Sequence, residues 1–532
     1  MKKTYRVLLM MLTLVMLISF TSCSGEQSVA DDTFEPQEAT PVAEDTTVSE
    51  PSYGGVLRLA ALAYDSLNPL TTNSEDIKQY MSLVYSSFVA LDHSGKPEPE
   101  IAESWESSDG CMTWTFKLRQ GISWHDGGTI DAEDVVSTIN YIKTKGGIYA
   151  DNVKYIKTFK AQDAMTVLIS CNEPCSVLPL MMSFPVLKTE NINTIGSMPV
   201  GSGMYSFNYI KSSQNKIYLD RFNGYYGDKP YIDSIEITTY ATETEKYKAE
   251  SDFSVVYDGV IKSENIKEAV CNSNIAGDLF TLMYFNLSGE GSYAAVKDAN
   301  VRKAINSYLD RGGLINAAAS GNASAAVLPV AKGNFLVYGD GASENSDSAA
   351  GDEFMKAAGY SKNESGFWAK NGAVIDIVCV VPADDTEFLL ASERMEKDLE
   401  KSGISVTLNF CDTEEYSLAL KNGTYSVLMA QISLSSRIDF ESIFKTGAKL
   451  NINSFSDKEI DALIDSAKTA EDYESIIEIY GKISDMLKDS LPICGLYIKG
   501  QTIVMSSNLH GVTENGLYSW DIFADADKWY IE

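Results

Sequence analysis

Three groupings in this chain carry residue types able to do covalent chemistry, and each has a plainer reading. Ser213-Gln214-Asn215-Lys216 fits S-x-x-K, in which a lysine close to a serine hydroxyl frees its oxygen to attack an acyl carbon. The pattern is loose, and none of the companion motifs of serine acyl-transfer enzymes accompanies it. His125, between Trp124 and Asp126-Gly127, places a base beside an acid. Its plainer reading is a structural turn with the imidazole hydrogen-bonded locally. Paired carboxylates abound in so acidic a chain, but the separation that decides glycosidase chemistry is spatial. No GxSxG elbow and no HExxH pair is present. The three histidines (His93, His125, His510) are far apart in sequence and no CxxC pair occurs, so neither a metal site nor a cofactor is expected.

Cys23 carries a different chemistry. Lys2, Lys3 and Arg6 form a basic start, and Leu8 to Phe20 run without a charge. That run suits a signal peptide and falls short of the about 20 apolar residues that span a bilayer. Thr21-Ser22-Cys23 then resembles a lipobox, the bacterial signal for lipid attachment, although Phe20 stands where Leu is usual. Residues 1–22 therefore read as a signal peptide, and Cys23 as a lipid anchor at the outer face of the bacterial cytoplasmic membrane, or in the periplasm of a Gram-negative cell. Residues 23–52 hold Glu26, Asp31, Asp32, Glu35, Glu38, Glu44, Asp45 and Glu50, with no Lys or Arg. Such a segment buries too little surface to offset folding entropy and reads as a disordered acidic stalk.

The remaining cysteines are Cys111, Cys171, Cys175, Cys271, Cys379, Cys411 and Cys494, an odd number. Cys379, inside Ile377-Val378-Cys379-Val380, reads as a small buried hydrophobe. Cys171 and Cys175 bracket a short loop that an exported chain could bridge. The formal charge of −31 becomes more negative once the basic start is removed. So acidic a chain argues against binding nucleic acid or anionic lipid heads, which reward clusters of Lys and Arg.

The elements that must position any site follow from periodicity. Val56 to Ala61 reads as a strand, and Ser74 caps a helix with an apolar stripe at Ile77, Tyr80, Met81, Val84, Tyr85 and Phe88. Met112 to Arg119 alternates, with Trp114, Phe116 and Leu118 on one face. Asp131 caps a helix through Val135, Ile139 and Ile142. Later, strand Val374 to Val381, helix Phe388 to Lys401 and strand Ile404 to Phe410 make a βαβ unit, with Gly403 as the stop. Ser456-Asp457-Lys458-Glu459 reads as a capping box, and a last helix runs from about Asp472 through Leu487, ending before Pro492. The fold class is α/β, with two lobes of mixed sheet flanked by helices.

Several segments, in order, closely resemble one family's signature. They are Pro99-Glu-Ile-Ala-Glu-Ser-Trp105, Trp114 to Gly127, Asp131-Ala-Glu-Asp-Val135, Pro199-Val-Gly-Ser-Gly-Met-Tyr205, Asn223 to Pro230, Asn300-Val-Arg-Lys-Ala-Ile305, Leu309-Asp310-Arg311, Ala357 to Tyr360 and Lys401 to Ile404. The family is the extracellular solute-binding proteins of the oligopeptide and dipeptide type, which serve ABC importers. The resemblance implies a periplasmic-binding-protein-like fold with a cleft between lobes: residues 53–280 and 496–532 in lobe I, and 281–495 in lobe II. The crossings would fall near Leu282 to Asn286 and Pro492 to Tyr497. It implies a monomer that closes on a peptide or small-molecule ligand, contacts importer permease subunits, makes or breaks no bond and touches the membrane only through its lipid.

Ligand contacts implied by the resemblance are Ala63, Tyr64 and Asp65 after the first strand, and Ser433, Ser435, Ser436 and Arg437 after a late strand of lobe II. Peptide binders of the family usually hold the ligand's amine with an Asp in that second segment. Here the first carboxylate is Asp439. They also set an Arg beside a Pro for the ligand's carboxylate, where this chain has Val381 before Pro382. The resemblance then implies either a peptide binder with other contacts, such as Arg437 and Asp439, or a binder of another solute, since the family also includes nickel-chelate, haem, sugar and opine binders. Two other readings stay open at this point: a ligand-sensing receptor for a membrane partner, and an exported hydrolase.

Overall fold

The computed structural model describes residues 50–195, 199–213, 215–249, 253–257, 269–337, 342–434, 438–512 and 521–532. Cys23, the segments on either side of it to Ser49, and Ser435, Ser436 and Arg437 lie outside the described residues.

Strand β1 (Val56–Leu62) enters the core with Leu57, Leu59, Ala60 and Ala61 buried. Ser74 accepts from Ile77 N and starts helix α1 (Glu75–Tyr80). The apolar stripe continues to Phe88, but the α-helix ends at Tyr80 and becomes one 3₁₀ turn, Met81–Leu83. Other backbones claim the polar groups beyond it. Val84 O accepts from Gly203 N at 2.9 Å, and Phe88 N and Val89 N donate to Phe184 O and Met182 O.

Strands β2 (Ala102–Ser108), β3 (Thr113–Leu118), β4 (Ile156–Asp163) and β5 (Thr166–Cys171) form an antiparallel sheet in the order β2-β3-β5-β4. The alternation in β3 holds, with Trp114, Phe116 and Leu118 inward. Helix α2 (Ala132–Lys145) begins with a capping box between Asp131 and Asp134 and adds Val135, Ile139 and Ile142 to the same core. Cys171 and Cys175 are both free thiols, not a bridge. The expected short loop is instead organised by backbone bonds, Cys171 N to Met112 O and Cys175 N to Cys111 O.

The main sheet takes β6 (Tyr205–Phe207), β7 (Lys216–Arg221), β8 (Ser234–Tyr240) and β9 (Val255–Tyr257), with helix α3 (Glu243–Lys248) beside them. The long strand β10 (Ala269–Phe285) follows, then helices α4 (Ala299–Tyr308) and α5 (Arg311–Ala319) and strand β11 (Ala323–Ala325). Next come β12 (Asp376–Pro382), α6 (Thr386–Ser402), β13 (Ser405–Cys411), β14 (Val427–Ser433), α7 (Phe440–Phe444), α8 (Lys458–Ala467), α9 (Tyr473–Ser490) and β15 (Ile493–Ser506). Their order is β13-β12-β14-β10-β15-β9-β1-β8-β7-β6, with β11 against β15.

The expected βαβ unit is present: β12 and β13 pair in parallel, Ile377 opposite Val406, and Gly403 ends α6 at φ 93°. Two boundaries differ. Val374 belongs to a separate two-residue strand paired with Trp368–Lys370 and is exposed, because the strand proper starts at Asp376. Asp457, not Ser456, caps α8, accepting from Glu459 N and Ile460 N. A carboxylate one residue nearer the helix takes those amides, leaving Ser456 to accept from Thr446 Oγ1.

One core gathers β1, α1, the four-stranded sheet, α2, β7 and β8 with Ile503, Met505, Phe523 and Trp529. Further along, the sheet is covered on both faces. Met283 and Phe285 of β10 turn to a core that includes residues of α4, α5 and α6, while Leu282 and Tyr284 turn to one with α7, α8 and α9. Strand β15 therefore runs from one group of cores to the other, with the backbone of β10 paired along it. A second junction lies at residues 173–176: Ser176 N and Oγ donate to Lys468 O and Ala467 O, and Lys468 Nζ pairs with Glu173 at 3.0 Å and with Glu441. No helix among the described residues is long and apolar enough to cross a membrane.

Candidate functional site

Strand direction fixes where a cleft must lie. Leu59 pairs with Val255 in parallel, and Val255 pairs with Met505 in antiparallel fashion. Following those registers, Leu62 at the end of β1 stands level with Thr502. On the other side Ser433, the last residue of β14, is opposite Leu279. Leu279 falls in the β10–β15 irregularity between the pairs Ala276–Gly500 and Phe280–Ile498, which is the level of Lys499. Strand β14 runs antiparallel to β1, so the two strands approach this level from opposite ends and finish about 10 Å apart along the strand direction, with β9, β15 and β10 between them across the sheet. The carboxyl ends of strands meeting across a crossover are where open α/β sheets hold their ligands.

The turn after β1 lines a cavity of about 410 Å³ with Leu62, Ala63, Tyr64, Asp65, Asn73, Ser74, Glu75, Asp76, Glu243 and Lys246. Ala63 N is pinned to Tyr240 O at 2.8 Å. Asp65 accepts from Thr72 Oγ1 at 2.9 Å and from Asn73 N and Nδ2, which clasps the loop from 65 to 73. Partial desolvation works against its charge, but these hydrogen bonds hold its carboxyl below the ordinary range. Burial raises the Tyr64 phenol. Asp76 accepts from Leu62 N at 2.8 Å and from Lys246 Nζ at 2.7 Å, both side chains being almost fully buried. The wall thus presents Asp65, Glu75 and Glu243 beyond a neutralised pair. It favours a cationic or neutral group and repels an anion.

On the facing side, Ser433 is exposed at the end of β14. Asp439 caps α7, accepting from Ser442 N at 3.1 Å and Ser442 Oγ at 2.7 Å. Val381 is fully buried. Sequence reasoning missed a polar cluster here. Glu387, in the first turn of α6, accepts from Tyr497 OH at 3.0 Å, Lys499 Nζ at 2.9 Å and Gln431 Nε2 at 3.3 Å. Gln431 also donates to Thr281 Oγ1. These residues come from four elements far apart in sequence, and no local spacing marks them.

The catalytic groupings dissolve in the structure. Lys216 pairs with Glu236, and Ser213 Oγ donates to Asn215 Oδ1. His125 is a clasp: Gly201 N donates to Nδ1 at 3.2 Å, which leaves Nε2–H to Gly203 O at 3.1 Å. Burial lowers its pKa to about 4, so the ring is neutral at pH 7. A histidine depressed from about 6.5 contributes stability above the higher value that is lost as pH falls toward the lower one. Glu100 and Asp521 act with the opposite sign, since burial raises them to about 8 and about 6 and their contribution fades as pH rises. Comparing variants isolates the ring. In urea titrations the stability gap between wild type and His125→Asn should narrow by roughly 3 kcal/mol from pH 7 to pH 4. A gap independent of pH would show that the ring is not held neutral.

The model of the bacterial extracellular solute-binding proteins, family 5 (middle), matches residues 96–446. The oligopeptide-binding protein AppA of Bacillus subtilis is 22% identical over 99% of this chain and 99% of its own. The ABC transporter substrate-binding protein CtaP of Listeria monocytogenes superposes with a TM-score of 0.70 at 20% identity, covering 90% of this chain and all of its own. A nickel ABC transporter protein of Bacillus halodurans gives 0.76 at 18% identity, again covering 90% of this chain and 100% of its own. At such identities the superpositions establish the two-lobed binding-protein fold.

Proposed function

This chain belongs to the bacterial extracellular solute-binding proteins of family 5, and from that premise we propose that it captures a peptide or similar small solute between its lobes and delivers it to an ABC importer. The observation that carries this reading is that β1 and β14 end within about 10 Å of one another along the strand direction, with the turn at 63–65 lining a cavity at the β1 end. Lobe I takes residues 53–280 and 496–532, and lobe II takes 281–495. Closure of one on the other buries the solute and gives the importer a shape to recognise. No bond need form or break, in keeping with a family that binds its substrate. Cys23 supplies a lipid anchor and residues 23–52 a tether, so a monomer stays close to its permease.

Ala63, Tyr64 and Asp65 form the lobe I side of the site, and Ser433, Ser435, Ser436, Arg437 and Asp439 the lobe II side. Backbone groups of these segments suit an extended peptide, which would add to them as a strand does. Native mass spectrometry of the purified protein identifies the solute it retains. A peptide supports the reading, and a metal chelate or sugar replaces it. Loss of uptake on deletion separates transport from sensing. Tyr64→Ala should weaken calorimetric affinity for the retained solute about tenfold, or about 1.4 kcal/mol, by removing a wall of the cavity. Arg437→Ala should weaken affinity more than stability. Unchanged affinities would remove these residues from the site.

A further inference from the structure

The lobe I cavity wall leaves a question of charge. Asp65, Glu75, Asp76 and Glu243 face it with one ammonium, Lys246, and that ammonium is paired with Asp76. A solute carrying a negative group must therefore place that group elsewhere. Strand register puts Lys499 at the level where β14 ends, and three residues from the level of Leu62. We propose, on the basis of the function above, that Lys499 is the specificity residue that receives the solute's carboxylate, with Glu387 holding its ammonium in position.

The geometry supports unequal roles for the two charges. Glu387 is the buried partner, 10% exposed, and both its oxygens are engaged: Oε1 by Tyr497 and Gln431, Oε2 by Lys499. Lys499 is 47% exposed, and one of its three N–H groups suffices for the 2.9 Å bond to Glu387. The bond to Glu387 leaves its other N–H groups free to meet a second acceptor at this half-exposed position. A free lysine loses considerable rotamer entropy when it binds an anion. Here Glu387 has already ordered the side chain, so a carboxylate meets a prearranged donor. Lys499 also lies on β15, which runs through both groups of cores. It therefore sits between the levels at which β1 and β14 end, on a strand common to both groups of cores.

The test presents ligand-stripped full-length protein with tri- to pentapeptides, each as free acid and as C-terminal amide, read by native mass spectrometry. Wild type should prefer free acids by about tenfold, the scale of a charge-assisted hydrogen bond. Lys499→Met should lose that preference while binding amides as wild type does, and Lys499→Arg should keep it. Equal binding of acids and amides by wild type, or a preference that survives in Lys499→Met with an unchanged melting temperature, overturns the role of Lys499 and leaves peptide binding standing. Retention of neither form by wild type overturns peptide binding itself, and the carboxylate assignment with it.

Discussion

Replacing Gly201 by Ala should destabilise the protein by about 3 kcal/mol or more, among the largest effects of a single methyl group. A Cβ built at Gly201 would lie 1.9 Å from Val84 O and 2.7 Å from Val84 C, inside the van der Waals surface of a backbone that cannot rotate away. A Cβ at Gly203 would meet the same segment at 2.7 and 2.8 Å. The close approach is used: Gly203 N donates to Val84 O, and the His125 ring bonds Gly201 on one side and Gly203 on the other. Moving the chain aside to admit the methyl group would break both. The expected result in urea is a large fall in the midpoint with little change in slope. A midpoint within error of wild type would show that the contact is loose.

This clasp illustrates what could be read from sequence and what could not. Pro199 to Tyr205 and Trp124 to Gly127 stand out as family signatures, and periodicity places the strands and helices around them. Why those glycines and that histidine occur together is invisible along the chain, because the reason is a three-way contact between residues 84, 125 and 201–203. The same holds for length. The stripe from Ile77 to Phe88 reads as one helix, yet backbone bonds to distant segments end it at Tyr80. Local capping chemistry was legible at Asp131, and off by one residue at Asp457, where two neighbouring caps compete. Turn 63–65 was singled out through the resemblance, and strand register puts it at the end of β1, where it lines a cavity. The Glu387–Lys499 pair was not legible, since a hydrogen bond between residues 112 apart leaves no periodic trace. Asp439, expected as a ligand contact, is seen as a helix cap, a role its sequence position before Phe440 already suited.

Arg302 carries the other large expected effect. It is 6% exposed, and its guanidinium donates to four carbonyls: Nε to Leu491 O at 2.8 Å and to Ser490 O, Nη1 to Val296 O at 2.9 Å and Lys297 O at 2.8 Å, and Nη2 again to Ser490 O. Ser490 and Leu491 end α9, where carbonyls lack helical partners and the dipole favours a cation. Removing the guanidinium strands several buried acceptors at once, so Arg302→Met should cost about 4 kcal/mol. Lysine should not restore it, because one ammonium cannot reproduce a planar fork that reaches two segments. The consequence extends toward the cleft. Leu491 leads through Pro492 into β15, and Arg311 grips the same strand two residues in, with Nε and Nη2 on Gly495 O at 3.0 and 2.7 Å. If Arg302 fixes where β15 begins, then Arg302→Met should speed amide exchange along residues 493–500, Lys499 included, more than along β1. It should also weaken solute binding beyond what the lost stability explains. Exchange that rises equally in both strands would mean that Arg302 supports the fold as a whole and does not position the cleft.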